Sequence, residues 1–408
     1  MRRAEERERR TMSTVSERDF RQRVTEVIDA FAPARAAGGN AWGEGDDRVS
    51  VVAERSEGEA EEIARLRRYR AHLDDHGLSW VEGPATYGGA GLTTRHADLL
   101  RAVEAEHELP DDAYLRFSAS TLCPTLLEHG TEEQRTGLLH RLRTGEVIAC
   151  QLYSEPGAGS DLAGLSTRAE RDGDGWRLNG QKVWSSGAHY SDLGLCIART
   201  DQAKPKHAGL TTFLVDLRAP GVEIRPIRQL TGGASFDEVF LTDVHVPDSA
   251  RVGEVDGGWR VVMTSLLHER SAIGREVGVD GALVDRLVDL ARHVRQPIDD
   301  RTRDQLADVV VRAWAARLTT DRYLDRGATP GPELAMTKLL TTDLLRQMSD
   351  VAADVLGAGH VADTGEWGTY AWSELTLGLP GLRVGGGTDE ILKNAIGERV
   401  LGLPKDAR

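Results

Sequence analysis

Four residues in VVMTSLLHERSAIG, Val262, Leu266, Glu269 and Ile273, are spaced by four, three and four positions. On a helix that spacing puts them on one face. Three are apolar and the fourth is a carboxylate. A carboxylate taken out of water holds its proton more tightly, and such burial can poise a general base near neutral pH. Pairing with Arg270, or a place at the rim of the stripe, accounts for the same residue without catalysis.

Three other stretches suit an extended or planar ligand. CQLYSEPGAGSDLAGL offers Ser154, Gly157, Gly159 and Ser160, whose small side chains leave backbone N–H groups open to phosphate or a ring edge. An ordinary Gly/Ser turn explains it equally, and it is neither a P-loop nor a Rossmann fingerprint. KVWSSG sets Trp184 beside Ser185 and Ser186, an indole and hydroxyls able to hold a heteroaromatic ring. A core tryptophan is the alternative there. DVLGAGH, Asp354 to His360, is a small-residue helix end that a glycine cap explains as well as a ligand does. Near the C-terminus, Gly385, Gly386 and Gly387 run into Thr388-Asp389-Glu390 at the mouth of a helical pattern.

These stretches sit on elements of two kinds. From about residue 16 to 144, segments such as EEIARLRRYRAHLDDHG carry apolar residues at helical spacing. From about 147 to 247 the pattern alternates, with DGDG and NG as turn signals. Asn179-Gly180 between alternating runs predicts a hairpin. From Gly257 onward the helical period returns. The predicted order is a tail (1–17), an N-terminal helical domain (18–146), a middle, barrel-like β domain (147–252) and a C-terminal helical bundle (253–408).

The 408 residues suffice for two or three domains, and a net charge of −14 argues against nucleic-acid or anionic-membrane partners. No apolar run approaches a membrane span, and the charged opening lacks a signal peptide's apolar region. Cys123, Cys150 and Cys196 form no zinc-type spacing and read as reduced thiols of a cytoplasmic protein, with no metal site expected.

Taken in order, YSEPGAGSDLAGL, GWRLNGQKVWSSG and GGGTDEILKNAIGERVLGLP resemble the signatures of the acyl-CoA dehydrogenases. PATYGGAGL, HGTEEQR and FDEVFLTDVHVP add to the likeness, which covers nearly everything from about residue 20 onward. The resemblance is closest to actinobacterial-type enzymes of lipid, steroid or secondary metabolism. It implies an α+β multidomain fold with helical N-terminal domain, middle β-barrel and C-terminal four-helix bundle. It also implies bound FAD, a homotetramer or dimer of dimers, an electron-transfer flavoprotein as partner, and α,β-dehydrogenation of an acyl-CoA or acyl-carrier thioester.

Carried over by position, the resemblance assigns Gln151, Leu152, Ser154, Ser160, Trp184, Ser185 and Ser186 to the flavin. It adds Asp354, Leu356, Gly357 and Ala358 across a subunit interface, and Thr388 and Glu390. Ser160, Leu267, His268, Arg270 and Gly387 match substrate-side positions. Many members keep their base just before the final Gly-Thr, where this chain has Gly386. Others, of the isovaleryl-CoA dehydrogenase type, carry a Glu on the first helix of the C-terminal domain, and that position matches Glu269. The α-proton would go to Glu269 and a hydride to flavin N5. The thioester carbonyl would be polarised by the Gly386 N–H and a ribityl hydroxyl of FAD. The chain departs from the family in two places: an Arg-x-Phe-Gly segment is replaced by ARHVRQPIDDRTRDQLAD, and Asp354 stands where Gln is usual. A flavin oxidase, a carrier-protein dehydrogenase and a non-catalytic subunit of a heteromer remain as alternatives.

Overall fold

Ser16 caps α1 (Glu17–Asp29) by accepting a hydrogen bond from the Asp19 N–H through its hydroxyl. The computed structural model describes residues 16–35, 42–45, 47–49, 58–276, 281–295, 297–325 and 334–405, with backbone alone for 270–276, 324–325 and 334. The expected tail lies almost wholly outside these residues. By contact the described chain divides into two units.

The first unit holds the helices α1, α2 (Glu59–Asp75), α3 (Thr94–Glu104), α4 (Cys123–His129) and α5 (Glu132–Thr144), followed by the β region. Phe20, Val24 and Ile28 of α1 meet Leu73, Leu78, Leu100 and Val103 in one buried cluster, which is the apolar face that the helical spacing predicts. Thr131 and Gln134 form a capping box at the start of α5.

The strands are β1 (Ala149–Leu152), β2 (Arg168–Asp172), β3 (Gly175–Ser186), β4 (Leu193–Arg199), β5 (Leu210–Asp216), β6 (Val222–Ile227), β7 (Phe236–Pro247) and β8 (Arg251–Val252). They form an eight-stranded sheet in the order β6-β7-β3-β2-β4-β5-β8, with β1 parallel to β4. Trp176, Leu178, Cys196, Phe213, Val239 and Val246 share one core, so the sheet wraps its strands around a common apolar interior.

One turn signal held and one did not. The β2–β3 hairpin turns at Gly173-Asp174, with Asp172 opposite Gly175 and Gly173 at φ 61°. Asn179-Gly180 makes no hairpin: β3 runs straight through it with a register shift against β7 between Leu178 and Gly180. A side chain on Gly180 would come within 2.7 Å of the Thr167 Cα, so this glycine serves close packing of two backbones. Asn179 instead exchanges hydrogen bonds with Asp243 across the bulge.

The helix α6 (Gly258–Glu276) follows, and its residues from Met263 onward belong to the second unit. That unit continues with α7 (Gly281–Val294), α8 (Asp300–Asp325), α9 (Leu334–Leu356), α10 (Trp372–Val384) and α11 (Asp389–Arg399). Leu287 and Leu290, Leu306 and Val309, Met348 and Val351, and Trp372 and Leu375 put four of these helices into one core. Among the described residues no helix is long and apolar enough to cross a membrane. None of the three cysteines forms a disulfide, and no cluster suited to a metal occurs among the described residues.

Candidate active site

In the first unit the loop after β1 is clamped to β3. The Val183 N–H donates to the Ser154 carbonyl at 2.9 Å, which brings Ser154 alongside the strand that carries Trp184. Beneath the loop, Lys182 and Glu155 form an ion pair at 2.8 Å with both side chains buried. Lys182 also donates to the Tyr153 carbonyl, and Glu155 accepts from the Ser166 N–H and hydroxyl and from the Thr167 N–H. Both ends of the Glu155–Thr167 segment are therefore fixed, while Gly157, Gly159 and Ser160 between them are exposed.

Trp184 lies at the second irregularity of β3, between Lys182 and Ser185. Its backbone is left-handed, φ 59°, and its indole is 58% exposed, edge-on to Phe236 at 5.9 Å. A tryptophan in that conformation is strained, and it stands out from the sheet instead of joining the core. Ser185 is buried with no hydrogen-bond partner for its hydroxyl, and Ser186 is exposed. Gln151 and Leu152 sit on β1, opposite Leu195 and Cys196 of β4.

Close by, and not anticipated from the sequence, His189 is held between two carboxylates. Its Nδ1 lies 2.7 Å from Asp237 and its Nε2 2.9 Å from Glu59. Burial alone would lower its pKa, but the hydrogen bond and charge of Asp237 and those of Glu59 outweigh burial and raise it.

In the second unit Glu269 is half-buried on α6, as are Leu266, Leu267 and His268. Partial access to solvent fits the place at the rim of the apolar stripe that the spacing left open. Val262 is buried; the side chains of Arg270 and Ile273 lie outside the described residues.

The three glycines form a turn between α10 and α11. Gly386 and Gly387 take positive φ, 67° and 103°, which favours glycine for the backbone alone. Thr388 then caps α11 through its hydroxyl, with Asp389 and Glu390 in the first turn. Arg383 and Asp389 pair at 2.7 Å across the glycines. From the other side Lys338 of α9, buried, donates to the carbonyls of Arg383 at 3.3 Å and Gly387 at 2.5 Å.

Thr388, Asp389 and Glu390 line a cavity of about 500 Å³ shared with Arg346, Ser349 and Thr376. Ser349, Thr376 and His360 are joined by hydrogen bonds of 2.7 and 3.0 Å, which connects this cavity to the Gly357–His360 turn. Leu356 ends α9, and Gly357, at φ 54°, acts as the glycine cap; Gly357 and Ala358 are exposed. Asp354 is tied within its own chain: its carboxylate accepts from Arg301 at 2.9 Å and Gln305 at 2.8 Å, and its carbonyl from Arg295.

Comparison with known proteins defines the class. Family models for the acyl-CoA dehydrogenase N-terminal, middle and C-terminal domains match residues 46–146, 150–244 and 256–401. Acyl-CoA dehydrogenase IpdE1 of Mycobacterium tuberculosis is 39% identical over 86% of this chain and 91% of its own length. Acyl-CoA dehydrogenase FadE34 of the same organism is 37% identical over 84% of this chain but 47% of its own. Among solved structures, a Tcur3481-Tcur3483 steroid ACAD superposes with a TM-score of 0.75 at 26% identity, covering 96% of this chain and 98% of that one. The ChsE4-ChsE5 complex of M. tuberculosis gives 0.73 at 25%, covering 95% and 98%. The chain belongs to the acyl-CoA dehydrogenase family, as a flavin-dependent enzyme whose cofactor is FAD.

Proposed function

We propose that this enzyme α,β-dehydrogenates a bulky acyl-CoA thioester, with Glu269 as the base. The observation that carries the reading is the pairing of a half-buried carboxylate at residue 269 with a glycine turn at 385–387 that has no side chain to act as a base. Glu269 takes the α-proton onto a carboxylate oxygen, and the Gly386 N–H donates to the thioester oxygen as negative charge develops there. FAD, when bound, supplies the acceptor for the hydride that leaves the β-carbon. An electron-transfer flavoprotein would be the electron acceptor in this reading.

The residues suit the cofactor. A buried hydroxyl without a partner, as at Ser185, is costly unless a ligand group takes it up. The open indole of Trp184 offers a face for a planar ring, and Thr388 and Glu390 border a cavity that holds two arginines. Ser154, Ser160, Ser186, Gln151 and Leu152 complete the assignment.

A bulky acyl group is supported by the absence of side chains at 385–387 and by the likeness to a steroid ACAD. Anaerobic bleaching of the flavin by a panel of CoA and carrier-protein thioesters tests this. Highest kcat/KM on polycyclic or branched CoA esters is expected, and a preference for short straight chains would sink it. Glu269→Gln should leave a yellow protein whose bleaching rate falls by about 100-fold or more; undiminished bleaching removes Glu269 from its role.

A second reading concerns assembly. Arg301 and Gln305 occupy the Asp354 carboxylate at the position where a relative's Gln would reach a neighbouring subunit's FAD. Val311, Trp314 and Leu318 leave an exposed apolar stripe along α8. Both features support a complex with a different partner chain in preference to a homotetramer. Sedimentation and flavin content of the chain purified alone test it: full flavin in a stable homotetramer would overturn this reading.

A further inference from the structure

We propose that Lys338 is a positioning residue for the thioester carbonyl, acting by fixing the glycine turn from beneath. The claim rests on the reading of Gly386 as carbonyl donor.

The turn between Val384 and Thr388 has no side chain of its own to define it. Its two positive-φ glycines have access to far more of conformational space than other residues, so its shape must be imposed from outside. Gly385 is fixed by the bond from its N–H to the Gly381 carbonyl at 2.8 Å, which closes the last turn of α10. Beyond it Lys338 adds a constraint on the backbone. Lys338 Nζ reaches the Arg383 carbonyl before the glycines and the Gly387 carbonyl at their end. It thereby brackets the peptide that carries the Gly386 N–H. Lys338 is only 8% exposed, between the buried Thr337, Thr341 and Thr342 of its own helix.

Burying an ammonium is expensive, and two backbone carbonyls are among the groups that receive it here. An apolar residue would fill this part of α9 at less cost. A lysine here makes sense where the position of the carbonyls matters more than the stability of the helix. The Arg383–Asp389 pair spans the same glycines from the cavity side. It joins side chains flanking the turn, whereas Lys338 holds the backbone itself.

The donor of an oxyanion site works only when it is aimed before the charge develops. A turn free to pivot would still admit substrate but would present the N–H off line. Removing Lys338 should therefore depress kcat more than it raises KM.

The test uses the FAD-loaded enzyme with Lys338→Met and Lys338→Arg. The probe is 3-(2-furyl)acryloyl-CoA, an enoyl thioester whose absorbance moves to the red when its carbonyl is polarised. Wild type should shift the probe, Lys338→Arg should retain most of the shift, and Lys338→Met should lose it. In Lys338→Met, kcat should fall by about 100-fold with a far smaller change in KM. A Lys338→Met enzyme with wild-type shift and kcat overturns the proposal.

Hydrogen exchange at the Gly385 amide, which the Gly381 carbonyl protects in the intact turn, gives a second readout that needs no ligand. Exchange should rise at least about tenfold in Lys338→Met, or in Lys338→Gln if the Met variant does not fold, and stay near wild type in Lys338→Arg. Unchanged protection in the Met or Gln variant also overturns the proposal. A wild type that leaves the probe unshifted while these exchange changes occur counts against the Gly386 assignment and leaves the anchoring role of Lys338 intact.

Discussion

Glu155 and Lys182 face each other at 2.8 Å with neither side chain open to water, and together they close the loop that carries Ser160. Removing one partner strands the other as a buried charge. Glu155→Gln should cost roughly 3–5 kcal/mol of stability, whereas replacing both by apolar residues of similar volume should recover much of it. Thermal or denaturant unfolding of the two single variants and the double variant reads this directly, and equal losses in all three would contradict it.

Two groups make stability depend on pH in opposite directions. Burial would raise the Glu155 carboxyl, but the charge and hydrogen bond of Lys182 together with Thr167 and Ser166 hold it at about 2. Its contribution is complete above the ordinary carboxylate value and is lost as pH falls toward 2. His189 is raised by Asp237 and Glu59 against the effect of burial, so its contribution is complete below the ordinary imidazole value. That contribution is lost as pH rises through the raised one. His189→Gln should flatten the alkaline side of a stability profile and leave the acid side unchanged, as denaturant midpoints across pH would show.

Trp184→Gly should separate stability from cofactor binding. Glycine relieves the left-handed strain of about 1–3 kcal/mol but adds chain freedom worth roughly 0.5–1 kcal/mol. Because the indole stands largely in solvent, the fold should change little, by about 1 kcal/mol either way. FAD retention on gel filtration should fall. A large loss of stability with full flavin would show that the ring serves the fold instead.

Gly387→Ala should be costly out of proportion to its one methyl group. Its φ of 103° disfavours any side chain, and the added carbon would meet the Leu392 Cδ2 at 3.3 Å. A loss of about 1–3 kcal/mol is expected, with flavin bleaching slowed because the turn moves. Wild-type stability and rate in this variant would mean the turn tolerates other shapes.

Much of the architecture was legible because period is a coarse and robust signal. The helices around Leu66 and Leu100 and the strands around Phe213 and Val239 follow from spacing alone. Asn179-Gly180 misled because its glycine is required by the approach of Thr167, a partner distant in sequence that no dipeptide rule contains. The two buried lysines were missed for a related reason, although each left a trace. Lys182 continues the inward series Trp176, Leu178, Gly180 on β3, and Lys338 shares a helical face with Ala335, Thr342 and Leu345. A cation on a buried face calls for a partner as surely as Glu269 on its stripe did, and the same attention would have found both. Glu269 lies on a helix, as its spacing predicts, and is half-buried, since a face can be apolar and still lie at an edge.

The glycine turn also bears on whether a carboxylate can stand at residue 386. In many members of the family the carboxylate stands where Gly386 is, and here the backbone at that position is left-handed at φ 67°. A glutamate introduced there would bear about 1–2 kcal/mol of steric strain before contributing anything. A carboxylate at residue 386 would therefore start from a strained backbone, and Gly386→Glu would have to remodel the turn before its side chain could serve as a base.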